Sequence, residues 1–269
     1  MRCSRFPAER LKEFPSVTAQ QMQSIDQLML DISEYTIYQM MERAGIAVAE
    51  VANCYVTSTF PNVTLLVGSG NNAGGALVAA RILAGNGANV QVILAKPQDQ
   101  LKRVPAIQLD ILTKMFPKQV HLNVASQQKA HSFPKMLNCD VIIDGLLGYS
   151  IQGNPDRKYA DLIEMANNSK APVISVDLPS GLDPDTGNPG SPTIQAAATV
   201  TLAAPKRGMT NSAAHPYLGE LYLACIGINA DLINKVLNCE PAFPKVFPKI
   251  LYLHTLASQK PSLRNHTQV

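Results

Sequence analysis

The apolar positions along the chain change their period after the first sixty residues. Met22, Ile25, Leu28 and Met29 recur at three- and four-residue spacing, and Thr18 stands where an N-cap hydroxyl is wanted. Met40, Met41, Ala44, Ala47, Val48 and Val51 repeat that spacing and predict a second helix over about 36–57. Beyond them the pattern turns into short apolar or β-branched runs at 63–67, 89–94, 119–123, 141–144, 172–177, 198–203 and 220–224. Helix-period segments at 74–86, 104–116 and 158–168 separate several of these runs. Strands alternating with helices predict an α/β protein: a mostly parallel sheet covered on both faces, carrying an N-terminal helical extension. No repeat or linker interrupts this pattern, so residues 16–240 read as one domain. Residues 1–15 read as a flexible leader and 241–269, rich in Pro, Lys and Ser, as a tail.

The densest chemistry lies in 63–81, VTLLVGSGNNAGGALVAAR. A buried strand runs into a glycine-rich turn and then a helix, the recipe for an anion or nucleotide cradle. Glycines let the backbone approach a ligand, and a helix N-terminus offers unpaired N–H groups and a positive dipole end. Gly68-x-Gly70-x-x-Ala73 matches the dinucleotide fingerprint, but that fingerprint also wants an acid about 20 residues on. Here the second strand ends in Ala95-Lys96-Pro97. A conventional NAD-dependent dehydrogenase is therefore a poor fit. Two further strands end in aspartate, Asp144 in IIDGLLG and Asp177 in SVDLPSGLD. An aspartate after a strand is often only a cap or turn residue. In open parallel sheets, however, ligands bind beyond the carboxyl ends of the strands. Asp144, Asp177, Ser180 and Asn71-Asn72 are thus expected to share one crevice.

Composition removes several alternatives. A net charge of +3 without a basic run gives no support for nucleic-acid binding. No apolar stretch reaches the roughly 18 residues of a membrane span. Five scattered cysteines without CxxC spacing favour neither a disulfide framework nor zinc, and suggest a reducing compartment. The first fifteen residues mix three arginines with two glutamates and lack an apolar core, which favours a cytoplasmic protein over an organellar one.

The chain resembles the NAD(P)H-hydrate epimerase family, the YjeF N-terminal domain. The resemblance is carried by VTAQQMQSIDQLM, MMERAG, GSGNNAGG, LVAAR, VIIDGLLG, APVISVDLPSGLDPDTG and TVTLAAPKRG, in the family's own order over about 16–230. It implies a three-layer αβα Rossmann-like fold, a homodimer, and interconversion of the R and S epimers at C6 of hydrated NADH or NADPH. It also implies a separate ADP/ATP-dependent dehydratase as pathway partner. Carried over by position, the substrate-binding residues are Asn71, Asn72, Ala73, Gly74 and Gly75, then Gly148, Tyr149, Ser150, Ile151, Gln152, Gly153 and Asn154. Asp177 is the catalytic carboxylate and a further substrate contact, and Asn72, Asp144 and Ser180 are the ligands of a potassium ion (K+).

Three positions depart from the family pattern. Gly75 stands where the NNGGD-type segment has its aspartate, Gly148-Tyr149-Ser150 replaces GTG, and Cys225 replaces an aspartate before Ile226-Gly227. Losing a buried carboxylate contact is worth roughly 1–3 kcal/mol. The alternative to a weakened epimerase is therefore a degenerate domain acting as a nucleotide-binding or protein-interaction scaffold.

Overall fold

In the computed structural model the described residues are 6–32, 36–125, 137–151, 153–238, 242–244 and 248–255. Helix α1 (Ala19–Leu30) starts in a capping box: Thr18 Oγ1 accepts from Gln21 N–H at 3.1 Å, and Gln21 Oε1 accepts from Thr18 N–H at 2.8 Å. α2 (Ile37–Ala52) follows, then β2 (Asn62–Val67), α3 (Asn72–Gly85), β3 (Asn89–Leu94), α4 (Arg103–Met115), β4 (Val120–Val124), β5 (Val141–Gly145), α5 (Arg157–Asn167), β6 (Val173–Val176), β7 (Ala198–Leu202), the single turn α6 (His215–Leu218), β8 (Glu220–Ala224) and α7 (Ala230–Leu237). Every strand and helix expected from the hydrophobic pattern is present within a few residues of its predicted limits, except that α2 stops at Ala52.

The structure differs from the sequence reading at both ends. β1 (Ala8–Arg10) lies inside the expected leader and β9 (Ile250–His254) inside the expected tail, yet the two pair with each other at one edge of the sheet. Leu11 and Phe14 are buried beside them. Most of the remaining tail, and residues 1–5, lie outside the described residues. Cys139 and Cys225 are free while Cys54 is disulfide-bonded, which corrects the expectation of no structural disulfide.

The nine strands run in the order β1-β9-β8-β7-β6-β5-β2-β3-β4. β2 to β8 are mutually parallel, and β9, with β1, runs against them. Alternation along each strand sorts the side chains to two faces. Leu65, Val92, Ile143, Val176, Val200 and Tyr222 pack with α2, α3 and α4. Leu66, Ile93 and Ile142 turn the other way onto α5, and Leu221, Leu223, Leu251 and Leu253 join α1 and α7. The result is a three-layer αβα domain.

α2 and α3 form the tightest helix pair. A Cβ on Gly45 would lie 2.4 Å from Val78 Cβ, so the helices touch backbone to side chain there. The chain order reverses between β2 and β5: from β2 the sheet grows through β3 to β4 on one side, and β5 adds on the other. Their outgoing loops diverge and leave a crevice at the strand ends.

Candidate functional site

The crevice forms because β2 and β5 leave the sheet in near contact. Gly68 N–H donates to Gly145 O at 3.1 Å, and a Cβ on Gly68 would sit 1.8 Å from Leu146 O. No other residue fits there. The chain then turns through Ser69 and Gly70 into α3, whose first residues are Asn72, Ala73, Gly74 and Gly75.

Asn72 turns inward. Its Nδ2 donates to Leu147 O and Val176 O, both at 3.1 Å, bridging the ends of β5 and β6. Asn71 is exposed and makes no side-chain cap bond. Ala73, Gly74 and Gly75 are buried. A Cβ on Gly74 would press on Val104 and Met41, and one on Gly75 would meet Ala44 Cβ at 3.4 Å and Val176 Cγ1 at 3.8 Å. Gly75 sits inside a regular helix without positive φ. Its missing side chain leaves room at the α2 contact.

Asp144 is completely buried. Its Oδ2 accepts from Ser175 Oγ and Ser180 N, each at 2.9 Å, and its Oδ1 accepts from Ser180 Oγ at 2.5 Å and Leu146 N at 3.2 Å. Burial pushes its pKa up, against the pull of the Ser180, Ser175 and Leu146 bonds. Ser180 Oγ also accepts from Leu147 N at 2.9 Å. Asn72, Asp144 and Ser180 are thus gathered around the Leu147 peptide.

Asp177 occupies the end of β6 in a strained conformation. Its φ is +67°, and Leu178 N–H donates back to Val176 O at 2.8 Å, the rare γ-turn with positive φ. Ala203, after the adjacent β7, repeats it: φ is +65° and Ala204 N–H donates to Leu202 O at 2.7 Å. An L-residue in this region costs about 1–2 kcal/mol. Lys206 ties the pair together. Its Nζ donates to the Asp177 carboxylate, to Leu202 O at 3.0 Å and to Ala204 O at 3.3 Å, while Leu202 N–H donates to Asp177 Oδ1 at 3.0 Å. The side chains of Lys206 and Asp177 are 1% and 6% exposed, so this ion pair lies in the interior. Sequence reasoning passed over Lys206, although it lies within the segment TVTLAAPKRG that runs from β7 through the turn after it.

The loop after β5 completes the rim. Gly148 packs on Asn72, where a Cβ would stand 3.1 Å from Asn72 Cβ. Tyr149 OH donates to Asp26 Oδ2 of α1 at 2.7 Å. Burial and the Asp26 charge push the Tyr149 pKa up. Ser150 is exposed and Ile151 half-buried. Gln152 lies outside the described residues. Gly153 has φ +72°, and Asn154 Oδ1 accepts from Ser191 N at 2.9 Å. The structure therefore brings Asn72, Asp144, Asp177 and Ser180 together with Gly148. Ser150, Gly153 and Asn154 lie further along the exposed loop, and Gly74 and Gly75 belong to the wall.

Residues 37–208 match the family model described as YjeF-related protein N-terminus. The chain belongs to this family. It is 30% identical over 223 residues to the NAD(P)H-hydrate epimerase of Rhodopirellula baltica, covering 83% of this chain and 88% of that one. The protein of the same name from Plasmodium knowlesi is 32% identical, over 75% of this chain and 67% of its own. The bifunctional NAD(P)H-hydrate repair enzyme Nnr of Pyrobaculum aerophilum is 37% identical over 72% of this chain, which spans only 38% of that longer protein. Among solved structures, yeast YNL200c superposes with a TM-score of 0.71 and 25% identity, covering 89% of this chain and all of that one. Among the described residues no helix of this YjeF-family protein is long and apolar enough to cross a membrane.

Proposed function

We propose that this YjeF-family protein is an NAD(P)H-hydrate epimerase that interconverts the C6 epimers of hydrated NADH or NADPH. The observation that carries the reading is Asp177, a carboxylate held in a strained turn at the crevice, in a chain similar to proteins of that name over most of its length. The substrate is a hemiaminal. Its ring nitrogen helps the C6 hydroxyl depart, leaving a flat cation that water re-enters from either face. Asp177, fixed by Lys206 and Leu202 N–H, supplies negative charge to that cation and accepts the proton of the incoming water. Because Lys206 holds the carboxylate before substrate arrives, little reorganisation is needed during the reaction. The start of α3 and the Gly148 loop flank the place where the dinucleotide lies.

A monovalent cation fits the neighbouring residues. Asp144 is a fully buried carboxylate whose partners among the described residues are neutral hydroxyl and amide groups, with no lysine or arginine. An uncompensated buried charge is costly, and the oxygens of Asn72, Asp144, Ser180 and the Leu147 and Val176 carbonyls form a hard donor set. These residues would hold a potassium ion, which would supply the missing countercharge at the strand ends against which the substrate rests. The second activity of the bifunctional repair enzymes among the relatives supports a dehydratase as the partner activity, and a homodimer is the natural assembly.

The test is chromatographic separation of the epimers of purified hydrated NADH after incubation with the protein, with and without potassium. Equilibration faster than in buffer supports the epimerase. A folded protein that binds nucleotide at buffer rate supports the scaffold reading, which the loss of the family aspartate at Gly75 favours.

A further inference from the structure

Helix α1 carries a carboxylate on its inward face. Its buried residues are Met22, Ile25 and Met29. Asp26 lies four residues after Met22 and three before Met29, so it shares their side of the helix, where an apolar residue is the ordinary choice. The seating of α1 explains what Asp26 meets there. Val17 forms a parallel bridge to Lys206, with Val17 N–H on Pro205 O and Arg207 N–H on Val17 O, both at 2.8 Å. Ala19 N–H donates to Asp185 Oδ1 at 2.7 Å. The helix therefore begins against the segment that carries Lys206 and runs past the end of the sheet.

Asp26 Oδ2 accepts from Tyr149 OH at 2.7 Å. The charged groups acting on Asp26 are Lys206 and Asp177, and Asp177 also acts on Tyr149. Four titratable side chains from four segments, α1, the β5 loop, the end of β6 and the turn after β7, thus form one cluster. Their circumstances differ. Asp177 is bound directly by the ammonium of Lys206, whereas Asp26 has a neutral phenol as its hydrogen-bond partner. Burial pushes the Asp26 pKa up, outweighing the Tyr149 bond and the Lys206 charge, with Asp177 adding to the rise. Two carboxylates in such unlike surroundings divide naturally into an acid and a base.

We propose that Asp26 is the proton donor of the site and that Tyr149 is the positioning residue that aims it. This rests on the epimerase reading. The neutral Asp26 carboxyl gives its proton to the C6 hydroxyl. The C6–O bond breaks, its electron pair leaving with the departing water, and the ring-nitrogen lone pair forms the C6–N double bond. A second water adds to the other face, its oxygen forming the new bond to C6 as that double bond's electrons return to nitrogen. Its proton goes to Asp177. One proton then passes from Asp177 to Asp26 through solvent, and no net atom is gained or lost. Starting from the opposite epimer, the two carboxylates exchange roles.

The test is the pH dependence of kcat for the wild type, Asp26→Asn and Tyr149→Phe, with nucleotide binding and thermal unfolding measured alongside. Wild-type kcat falls as pH rises through the Asp26 pKa. Asp26→Asn lowers kcat by roughly 10²–10⁴-fold, the usual worth of a general acid. It abolishes that falling limb and leaves nucleotide affinity within a few-fold. Tyr149→Phe keeps the carboxyl but removes a bond that favours its charged form, so the limb moves to higher pH. If Asp26→Asn does not fold, the Tyr149→Phe shift decides. An Asp26→Asn enzyme with kcat within threefold of wild type, a limb retained without Asp26, or a limb unmoved by Tyr149→Phe overturns the proposal. Failure of the parent reading looks different: the wild type itself runs at buffer rate, and both readings fall.

Discussion

Replacing Lys206 by methionine tests how the strained strand ends are held. The substitution keeps most of the apolar stem and removes the ammonium, which in the structure binds the Asp177 carboxylate and the carbonyls of Leu202 and Ala204. Asp177 would remain almost fully buried, with Leu202 N–H as its surviving partner among these contacts. Breaking a buried pair from one side costs about 3–5 kcal/mol, because the remaining charge is uncompensated. For a chain of this size about 2 °C of melting temperature is lost per kcal/mol. The expected drop is thus about 6–10 °C by circular dichroism. If the loss arises from the stranded carboxylate, it shrinks when Asp177 is already asparagine. The cycle of Lys206→Met, Asp177→Asn and the double variant should then show a coupling of about 1–3 kcal/mol. Asparagine suits this cycle because it tolerates φ near +67° better than alanine does. A melting temperature within 1 °C of wild type, or losses that simply add, would refute the claim that Lys206 holds Asp177 in place.

Four further outcomes are expected. Gly75→Ala is tolerated or stabilises by up to about 1 kcal/mol, since the new methyl meets Ala44 at ordinary contact distance in a regular helix. Gly75→Asp, which restores the family residue, places a charge against Ala44, Met41 and Val176 and lowers the free energy of unfolding by about 1–3 kcal/mol in a denaturant titration, whatever it does for turnover. Potassium raises the melting temperature of the wild type relative to choline at equal ionic strength, and Asp144→Asn abolishes the difference, because the buried carboxylate is what requires the countercharge. The pKa of Asp26 is raised in the folded state, so its contribution to stability is full below the ordinary aspartate range and is lost as pH rises through the folded value. Asp26→Asn therefore gains stability relative to wild type across that same window, measured as the difference in melting temperature from acid to neutral pH.

The sheet was legible because parallel strands covered on both faces need near-continuous apolar runs, and 63–67, 89–94, 141–144 and 198–203 are such runs. Asp144 and Asp177 were legible for the same reason: a carboxylate ending an apolar strand stands out. The edges were not. Ala8-Glu9-Arg10 has no strand pattern of its own and is fixed by its partner, Ile250–His254, which hides in a Pro- and Lys-rich tail. Lys206 reads as a surface residue in any single sequence, and its burial follows only from the turn after β7 meeting Asp177. Asp26 left a fainter signal, a charged residue on the Met22–Ile25–Met29 face, whose meaning depends on Tyr149 arriving from 123 residues away. Gly75 shows the opposite limit. Its departure from the family pattern is plain in sequence, but only packing against Ala44 shows that it faces the α2 contact.

The proposed function places the epimerisation of hydrated NAD(P)H at Asp177. The most direct measurement is the rate of epimer interconversion by wild type and Asp177→Asn, with nucleotide binding and folding measured on the same preparations. The expected result is acceleration by the wild type and a rate near that of buffer for a folded Asp177→Asn variant that still binds nucleotide. Equal acceleration by both proteins would remove Asp177 from the chemistry, and a folded wild type at buffer rate would contradict the epimerase itself.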